Sequence, residues 1–188
     1  MAWTTPKTDF SPGNVLTAAQ MNAIGGDLVA LANSASTTLT TTTTVSVTTA
    51  GTFYDLSGLS VSITPNSTAS NILVLANVDI GSGADLLIGL RLVRGSTAIG
   101  VATSPGSRNA TTAGAYLATA VMSSVSTHFQ IPMMFLDSPA STAAQTYKIQ
   151  GTTNTNGSTI YVNRSQADGD NINSFRATST ITVMEFPA

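Results

Sequence analysis

The sequence contains no cysteine, one histidine and one glutamate, and only 9% of its 188 residues are charged. Without cysteine, neither a disulfide nor a thiolate metal site contributes to the fold. The formal net charge is −2 and the seven basic residues are scattered along the chain. A run of phosphates needs a denser positive surface, so we expect no nucleic-acid partner. Solubility therefore depends on the abundant threonine, serine and asparagine.

Long apolar segments are also missing. The longest runs, Ile72–Ala76 and Leu86–Leu90, are far too short to cross a bilayer. The N-terminus lacks the basic stretch followed by an apolar core that marks a signal peptide. We expect no membrane insertion, and a protein that is made and folded in a cytoplasm.

Few side chains could support acid–base catalysis. A Ser-His-Asp arrangement would have to use His128, and no nucleophile elbow accompanies it, so a structural histidine is favoured. The carboxylate pairs Asp79 with Asp85 and Asp168 with Asp170 lie beside glycines and are interpreted as turn residues. The second pair also lacks the spaced carboxylates of a calcium loop. These features predict a protein that is not an enzyme and has no metal or cofactor.

Most of the chain has the pattern of β-structure. Residues 34–50 are a threonine-rich, low-complexity stretch, interpreted as a linker that enters a first strand. Residues 51–188 contain short alternating or apolar runs separated by turn signals, which predict an antiparallel β-sandwich of about eight to ten strands with a jelly-roll form. The predicted strands are Thr52–Leu56, Leu59–Thr64, Asn71–Ile80, Leu86–Arg94, Thr97–Ala102, Tyr116–Ser123, His128–Leu136, Thr146–Thr152, Thr159–Asn163 and Thr178–Phe186.

Two of these strands are apolar on both faces. In Ile72–Ala76 and Leu86–Leu90, successive residues are apolar rather than alternating with polar ones. Because a strand directs alternate side chains to opposite faces, only one set can enter the sandwich core. The other set needs a second partner, and a neighbouring subunit is the natural candidate.

Residues 1–33 differ from the rest and predict a docking arm with one short α-helix. Thr17 and Gln20 form a capping box, and Leu16 is placed to pack on Met21 as a hydrophobic staple. An apolar seam follows along the helix, formed by Met21, Ile24, Leu28 and Leu31. Two glycines interrupt it, each costing about 1 kcal/mol, so the helix is marginal by itself and needs a partner surface. That partner is either another protein or the β domain of the same chain.

Two aromatic residues lie upstream of this helix. Trp3 and Phe10 occur in a segment broken by Pro6, Pro12 and Gly13, which cannot form a core of its own. Their side chains are therefore expected to insert into pockets elsewhere. The receiving surface is another protein or, for Trp3 in particular, the chain's own helix or sheet.

The N-terminal segment resembles the opening of many tailed-bacteriophage virion proteins. The resemblance is carried by Trp3-Thr-Thr-Pro6, by Gly13-Asn-Val-Leu-Thr-Ala-Ala-Gln-Met-Asn22 and by Gly26-Asp27-Leu28. The last strand, Ser179–Phe186, is similar to the ending of the same proteins, as are Tyr147–Gln150 and Tyr161–Ser165. The resemblance implies a homotrimer with a tumour-necrosis-factor-like jelly-roll head that projects from a capsid or tail.

These features together predict a capsid decoration protein or head fibre on the virion surface. Docking to other virion proteins is assigned to Trp3, Phe10, Leu16, Met21, Ile24, Leu28 and Leu31. The alternative is a tail fibre or adhesin that binds a host surface glycan. Its ligand residues would be Arg108, Asn109, Asn154 and Asn156, in loops rich in hydrogen-bonding groups. A cell-wall hydrolase is a third alternative, disfavoured by the scarcity of glutamate and histidine.

Overall fold

A computed structural model describes residues 18, 21–22, 33–83, 85–104, 106–117, 128–172 and 174–186. Eleven strands lie within this part of the chain. They are β1 (Ser34–Leu39), β2 (Thr43–Val47), β3 (Tyr54–Ile63), β4 (Asn71–Gly81), β5 (Leu86–Arg94), β6 (Thr97–Ile99), β7 (Ala113–Leu117), β8 (His128–Asp137), β9 (Gln145–Thr153), β10 (Ser158–Val162) and β11 (Ser179–Phe186).

The strands form two antiparallel sheets. Sheet A has the order β1-β11-β4-β10-β2, with β8 also paired to β4. Since β8 pairs with β4 along its length, β11 and β10 follow one another on the opposite side of β4. Sheet B has the order β3-β9-β5-β6, with β7 also paired to β5. The chain is therefore mainly β and forms a two-layer sandwich.

The core lies between the sheets and follows the alternation of each strand. Sheet A contributes Ile72, Val74, Val78 and Ile80 of β4 together with Ile181 and Val183 of β11, all with no exposed surface. Sheet B contributes Ile88, Leu90, Leu92, Tyr147 and Ile149, which are equally buried. Polar contacts also join the layers, and one of them is centred on Asp137. The carboxylate of Asp137 in sheet A accepts hydrogen bonds from Arg94 (2.6 Å) and the Tyr147 hydroxyl (2.8 Å) in sheet B.

Most predicted strands occur within one residue of their expected bounds. Strand β5 has the predicted bounds, whereas β7 begins at Ala113 rather than Tyr116. Alanine and glycine favour strands weakly, and pairing with β5 overrides that preference. Positions 118–127, which include the rest of that predicted strand, lie outside the described residues.

The two strands predicted between Thr52 and Thr64 are one strand, β3. The sequence places a break at Ser57-Gly58, and the structure has a bulge there instead. The pairing of β3 with β9 shifts register between Asp55 and Ser60, and Gly58 has a φ of +85°. Residues 56–59 of β3 stand opposite the single residue 149 of β9, so this irregularity adds residues without ending the strand, and glycine tolerates its left-handed conformation.

The threonine-rich stretch contains two sheet strands rather than a linker with a single strand. β1 pairs with β11 and β2 pairs with β10 along their full lengths. Threonine suits such positions because its branched side chain packs on the pleated surface. Upstream, the described residues Ala18, Met21 and Asn22 are helical. The remainder of the predicted arm and helix lies outside the described residues, and the jelly-roll form stays a prediction.

Candidate functional site

The outer faces of the two sheets differ in their chemistry. Sheet B has a charged outer face: Lys148 and Gln150 donate to the two carboxylate oxygens of Asp55, and Arg91 donates to Gln150. The Arg91 guanidinium also lies 3.8 Å from the centre of the Phe53 ring. Its partial burial lowers the pKa of Arg91, and the Asp55 charge partly offsets that effect. This is the solvated face that a sandwich presents to water.

The outer face of sheet A is largely uncharged, with the buried pair of Asp79 and His128 at one end of β4. Its centre is an apolar cluster, which we call the apolar face: Leu73, Leu75, Met134, Leu136, Met184 and Phe186. Met134 is 70% exposed and Leu136 is 53% exposed, although both side chains are large and hydrophobic. A border of serine and threonine from β1 and β11 adjoins it. None of the described outward positions of β1, β11, Asn71–Asn77 or Gln130–Leu136 carries a charge.

Strand register assembles the apolar face from distant parts of the chain. Leu73 lies opposite both Met184 and Leu136, and Leu75 lies opposite Met134. Directly paired residues in antiparallel strands have adjacent side chains, so these rows form one continuous surface. A depression of about 540 Å³ runs along it beside Leu75, Pro132 and Met134. Continuous exposed apolar surface of this kind is typical of an interaction site.

The point where the N-terminal segment joins the sandwich is fixed by Glu185. The backbone N–H of Glu185 donates to the carbonyl of Asn33 at 2.9 Å, and Asn33 Nδ2 donates to the Glu185 carboxylate and to the carbonyl of Thr64. Asn66 donates to the same carboxylate from its backbone and its side chain, both at 2.8 Å. Asn33, to which residues 1–32 are joined, therefore adjoins Ser34, which is paired with Met184 at the edge of the apolar face.

The pKa of Glu185 lies below the ordinary glutamate value. Burial by itself would raise it, since Glu185 is only 2% exposed. The hydrogen-bonding groups of Ser70, Asn33 and Asn66 favour the charged form and outweigh burial. The only glutamate of the chain is thus a structural anchor for the N-terminal junction.

Of the predicted docking residues, only Met21 is described. It is helical and 59% exposed. Trp3, Phe10, Leu16, Ile24, Leu28 and Leu31 lie outside the described residues, so their docking role stays a prediction.

Three of the four predicted ligand residues meet at one cavity. A hollow of about 510 Å³ on the outer side of sheet B is lined by Arg108, Asn109 and Asn154, together with Leu87, Ile88, Gly89, Ser107, Thr111, Gly114, Thr152 and Thr153. Asn156 is not among its lining residues. Its side-chain oxygen accepts a hydrogen bond from the backbone of Ala50 at 2.7 Å, so Asn156 fixes the turn after β2.

The candidate catalytic residues have structural partners. Asp79 was interpreted as a turn residue, and this was wrong: it lies within β4, is 2% exposed, and both carboxylate oxygens are 2.8 Å from Nδ1 of His128. Asp168 forms a two-point ion pair with Arg176, with both distances 2.8 Å, and hydrogen bonding to this arginine lowers the pKa of Asp168.

Neither a metal cluster nor a membrane helix is found in the described part of the chain. No group of three or more His, Cys, Asp or Glu side chains there could hold an ion. No helix in the same part is long and apolar enough to cross a membrane.

Comparison with known proteins adds a weak likeness of fold. No protein-family model and no curated protein matches the sequence. A chain from the structure of infectious bursal disease virus, Gx strain, is similar with 14% identity and a TM-score of 0.36 over 80% of this chain. The match covers 36% of that viral chain, so the present chain spans about a third of its length. The assignment to a β-sandwich rests on the strand pairing itself.

Sequence reasoning identified the apolar strands but missed two contacts. The Asp79–His128 pair joins residues 49 positions apart, and no local pattern indicates it. The Glu185 anchor joins residues more than 100 positions apart in the same way. A lone glutamate within an apolar strand was the available signal, because a buried carboxylate requires hydrogen-bond donors.

The Glu185 anchor predicts a specific pH dependence. Its folded-state pKa is lowered, so the carboxylate stabilises the fold above the ordinary value of 4.5 and this contribution is lost as the pH falls through the folded-state pKa. At pH 7, Glu185→Gln should lower the free energy of unfolding by about 1–3 kcal/mol, because an amide N–H would face the asparagine donors. Urea unfolding from pH 7 to pH 3 should show this difference shrinking. A difference between the two proteins that stays constant with pH would contradict the assignment.

Proposed function

We propose that this chain is a non-enzymatic structural protein of a bacteriophage virion. In this proposal, copies associate through the apolar face of sheet A, and the N-terminal segment attaches the oligomer to other virion proteins. The single observation that carries the proposal is the contrast between the outer faces. Sheet B carries Asp55, Arg91 and Lys148, whereas the part of sheet A formed by β1, β11, Asn71–Asn77 and Gln130–Leu136 has no charged side chain among its described outward positions.

A second copy of the chain suits the apolar face because neither surface supplies a charge to neutralise. An uncharged surface of leucine, methionine and phenylalanine bordered by hydroxyl groups can pack on an equivalent surface without desolvating ions. The number of copies, three, is taken from the resemblance to trimeric phage heads. If the apolar faces of the three copies meet around a three-fold axis, each face is covered by the other two copies.

Attachment to the particle is assigned to residues 1–32 by their sequence. Their junction with the domain lies beside Met184, next to the proposed subunit contact. The arms of an oligomer would therefore leave from one region, where they can engage a particle together. Several linked contacts hold more tightly than one, which suits a capsid decoration protein or head fibre. The lead proposal is thus a trimeric decoration protein or head fibre on the virion surface, assembled in the bacterial cytoplasm.

A short tail fibre or adhesin is the second candidate. The cavity of sheet B favours it, because Arg108, Asn109 and Asn154 line a hollow of a size suited to a small ligand. Its location on the sheet opposite the apolar face would leave it accessible in the proposed oligomer.

The subunit contact can be tested with two leucines matched in exposure. Leu136 lies on the apolar face and is 53% exposed, whereas Leu87 lies on sheet B and is 52% exposed. Leu136→Asp would bury an unpaired carboxylate in the interface, at a cost of several kcal/mol, on the order of the penalty for an uncompensated charge. Light scattering on the full chain should give an oligomer for the wild type and for Leu87→Asp, and a monomer for Leu136→Asp. A Leu136→Asp protein with the wild-type mass would refute this contact.

Particle attachment requires a separate test. Removing residues 1–31 leaves Asn33 and its contacts with Glu185 intact. The shortened protein should keep its β circular-dichroism spectrum but fail to co-sediment with particles that lack the native protein. The full chain is the positive control. If the shortened protein still decorates the particles, attachment does not depend on the arm.

A further inference from the structure

The cavity on sheet B has a floor without large side chains. Gly89 and Gly114 are paired across β5 and β7, and Thr152 lies beside Gly89 on β9. A Cβ added at Gly89 would come within 2.7 Å of the Thr111 methyl group, so any larger residue there would intrude on the hollow. The result is a recess in an otherwise side-chain-covered sheet. Its volume of about 510 Å³ is within the range of about 300–1,000 Å³ found for small-molecule sites.

One wall of the cavity carries an oriented amide donor. The Asn154 side-chain oxygen accepts a hydrogen bond from the Leu87 N–H at 3.0 Å, and the Asn154 N–H donates to the Leu87 carbonyl at 3.2 Å. These contacts fix the amide plane against β5. Its Nδ2 group makes no hydrogen bond to a described residue, so it is available at the cavity wall.

A buried hydroxyl group at the floor also lacks a partner. Thr152 is 3% exposed and lines the cavity, and its Oγ1 has no hydrogen-bond partner among the described residues. Buried hydroxyl groups are normally satisfied, and an unsatisfied one costs about 1–3 kcal/mol. The methyl group of Thr152 is the part of the side chain that adjoins Gly89, so Thr152 adds apolar surface to the floor.

The lining of the cavity carries positive charge only. Arg108 is its only charged residue, and no carboxylate is included. Ser107, Asn109 and Thr111 add polar groups near Arg108, while exposed Leu87 is paired with exposed Tyr116 to form an apolar rim. A guanidinium group pairs most strongly with a planar carboxylate, whereas amides and hydroxyl groups bind the hydroxyl groups of a sugar.

We propose that this cavity binds a carboxylate-bearing sugar, with Arg108 holding the carboxylate and the Asn154 amide holding a ring hydroxyl group. The apolar rim of Leu87 and Tyr116 would cover the C–H face of the ring. The proposal deepens the adhesin candidate and rests on it for its biological setting, but it requires neither the apolar-face contact nor the arm.

The binding test uses the full chain and three probes: sodium glucuronate, glucose and inorganic phosphate. Saturation-transfer NMR with titration should show glucuronate binding at least about tenfold more tightly than glucose, the difference being one charged hydrogen-bonded contact. Phosphate should not compete with glucuronate at equal concentration. Equal binding of glucose and glucuronate, or displacement by phosphate alone, would overturn the proposal.

Two variants and a matched control assign the binding to this cavity. Arg108→Gln should reduce glucuronate affinity to that of glucose. Asn154→Asp keeps the acceptor for the Leu87 N–H but replaces the amide donor with a negative charge, so it should weaken glucuronate binding at least about tenfold. Asn156→Asp is the control, since it likewise keeps an acceptor, for the Ala50 N–H, and adds the same charge outside the cavity. If Asn154→Asp binds as tightly as this control, the cavity is not the site. The oligomer mass reports on the proposed assembly separately, so failure of one proposal is distinguishable from failure of the other.

Discussion

The alternation of side chains along a β-strand is the constraint on which the structure depends. A strand in a two-layer sandwich can bury only one of its two sets of side chains in the core. Strand β4 buries Ile72, Val74 and Val78 completely, and this leaves Leu73 and Leu75 on the opposite side. The pairing of β4 with β8 and β11 places Met134, Leu136 and Met184 on the same surface. The core and the apolar face are therefore consequences of one sequence pattern.

Sparse charge makes the distribution of the remaining charges informative. The carboxylates of Asp79, Asp137 and Glu185 are buried and have specific partners that join distant strands. Asp55 instead organises the solvated surface of sheet B with Lys148. None of the described outward positions of the apolar face carries a charged side chain. Such a surface is costly to leave in water and inexpensive to cover with another uncharged surface.

Much of the fold could be predicted from the sequence because its strands are locally encoded. The apolar run of β5 between turn residues fixed both of its bounds, and the two-sided apolar pattern of Ile72–Ala76 indicated an outward surface. The bulge at Gly58 was mistaken for a turn because glycine serves both. Thr-rich sequence favours extended backbone but does not reveal a partner, so the pairing of β1 and β2 with β11 and β10 could not be derived.

The candidate sites were predictable only in part, since sites depend on contacts between distant residues. Arg108, Asn109 and Asn154 were identified as loop residues with hydrogen-bonding capacity. Their meeting depends on the pairing of β5 with both β7 and β9, which the sequence does not specify. Asn156 is a loop residue with the same hydrogen-bonding capacity, but its side chain accepts a hydrogen bond from the backbone of Ala50 instead. Residue type therefore suggested the chemistry, and strand pairing determined the location.

Adjacent methionines allow the central claim, that another copy covers the apolar face, to be measured directly. Met133 faces the core and is 5% exposed, whereas Met134 faces outward and is 70% exposed in the single chain. Brief peroxide treatment of the full-length protein, followed by mass spectrometry, gives the oxidation rate of each. The account predicts that Met134 oxidises about as slowly as Met133 in the assembled protein, and much faster in the Leu136→Asp variant. Fast oxidation of Met134 in the wild-type protein, equal to that in the variant, would show that the face is open to water and would contradict the account.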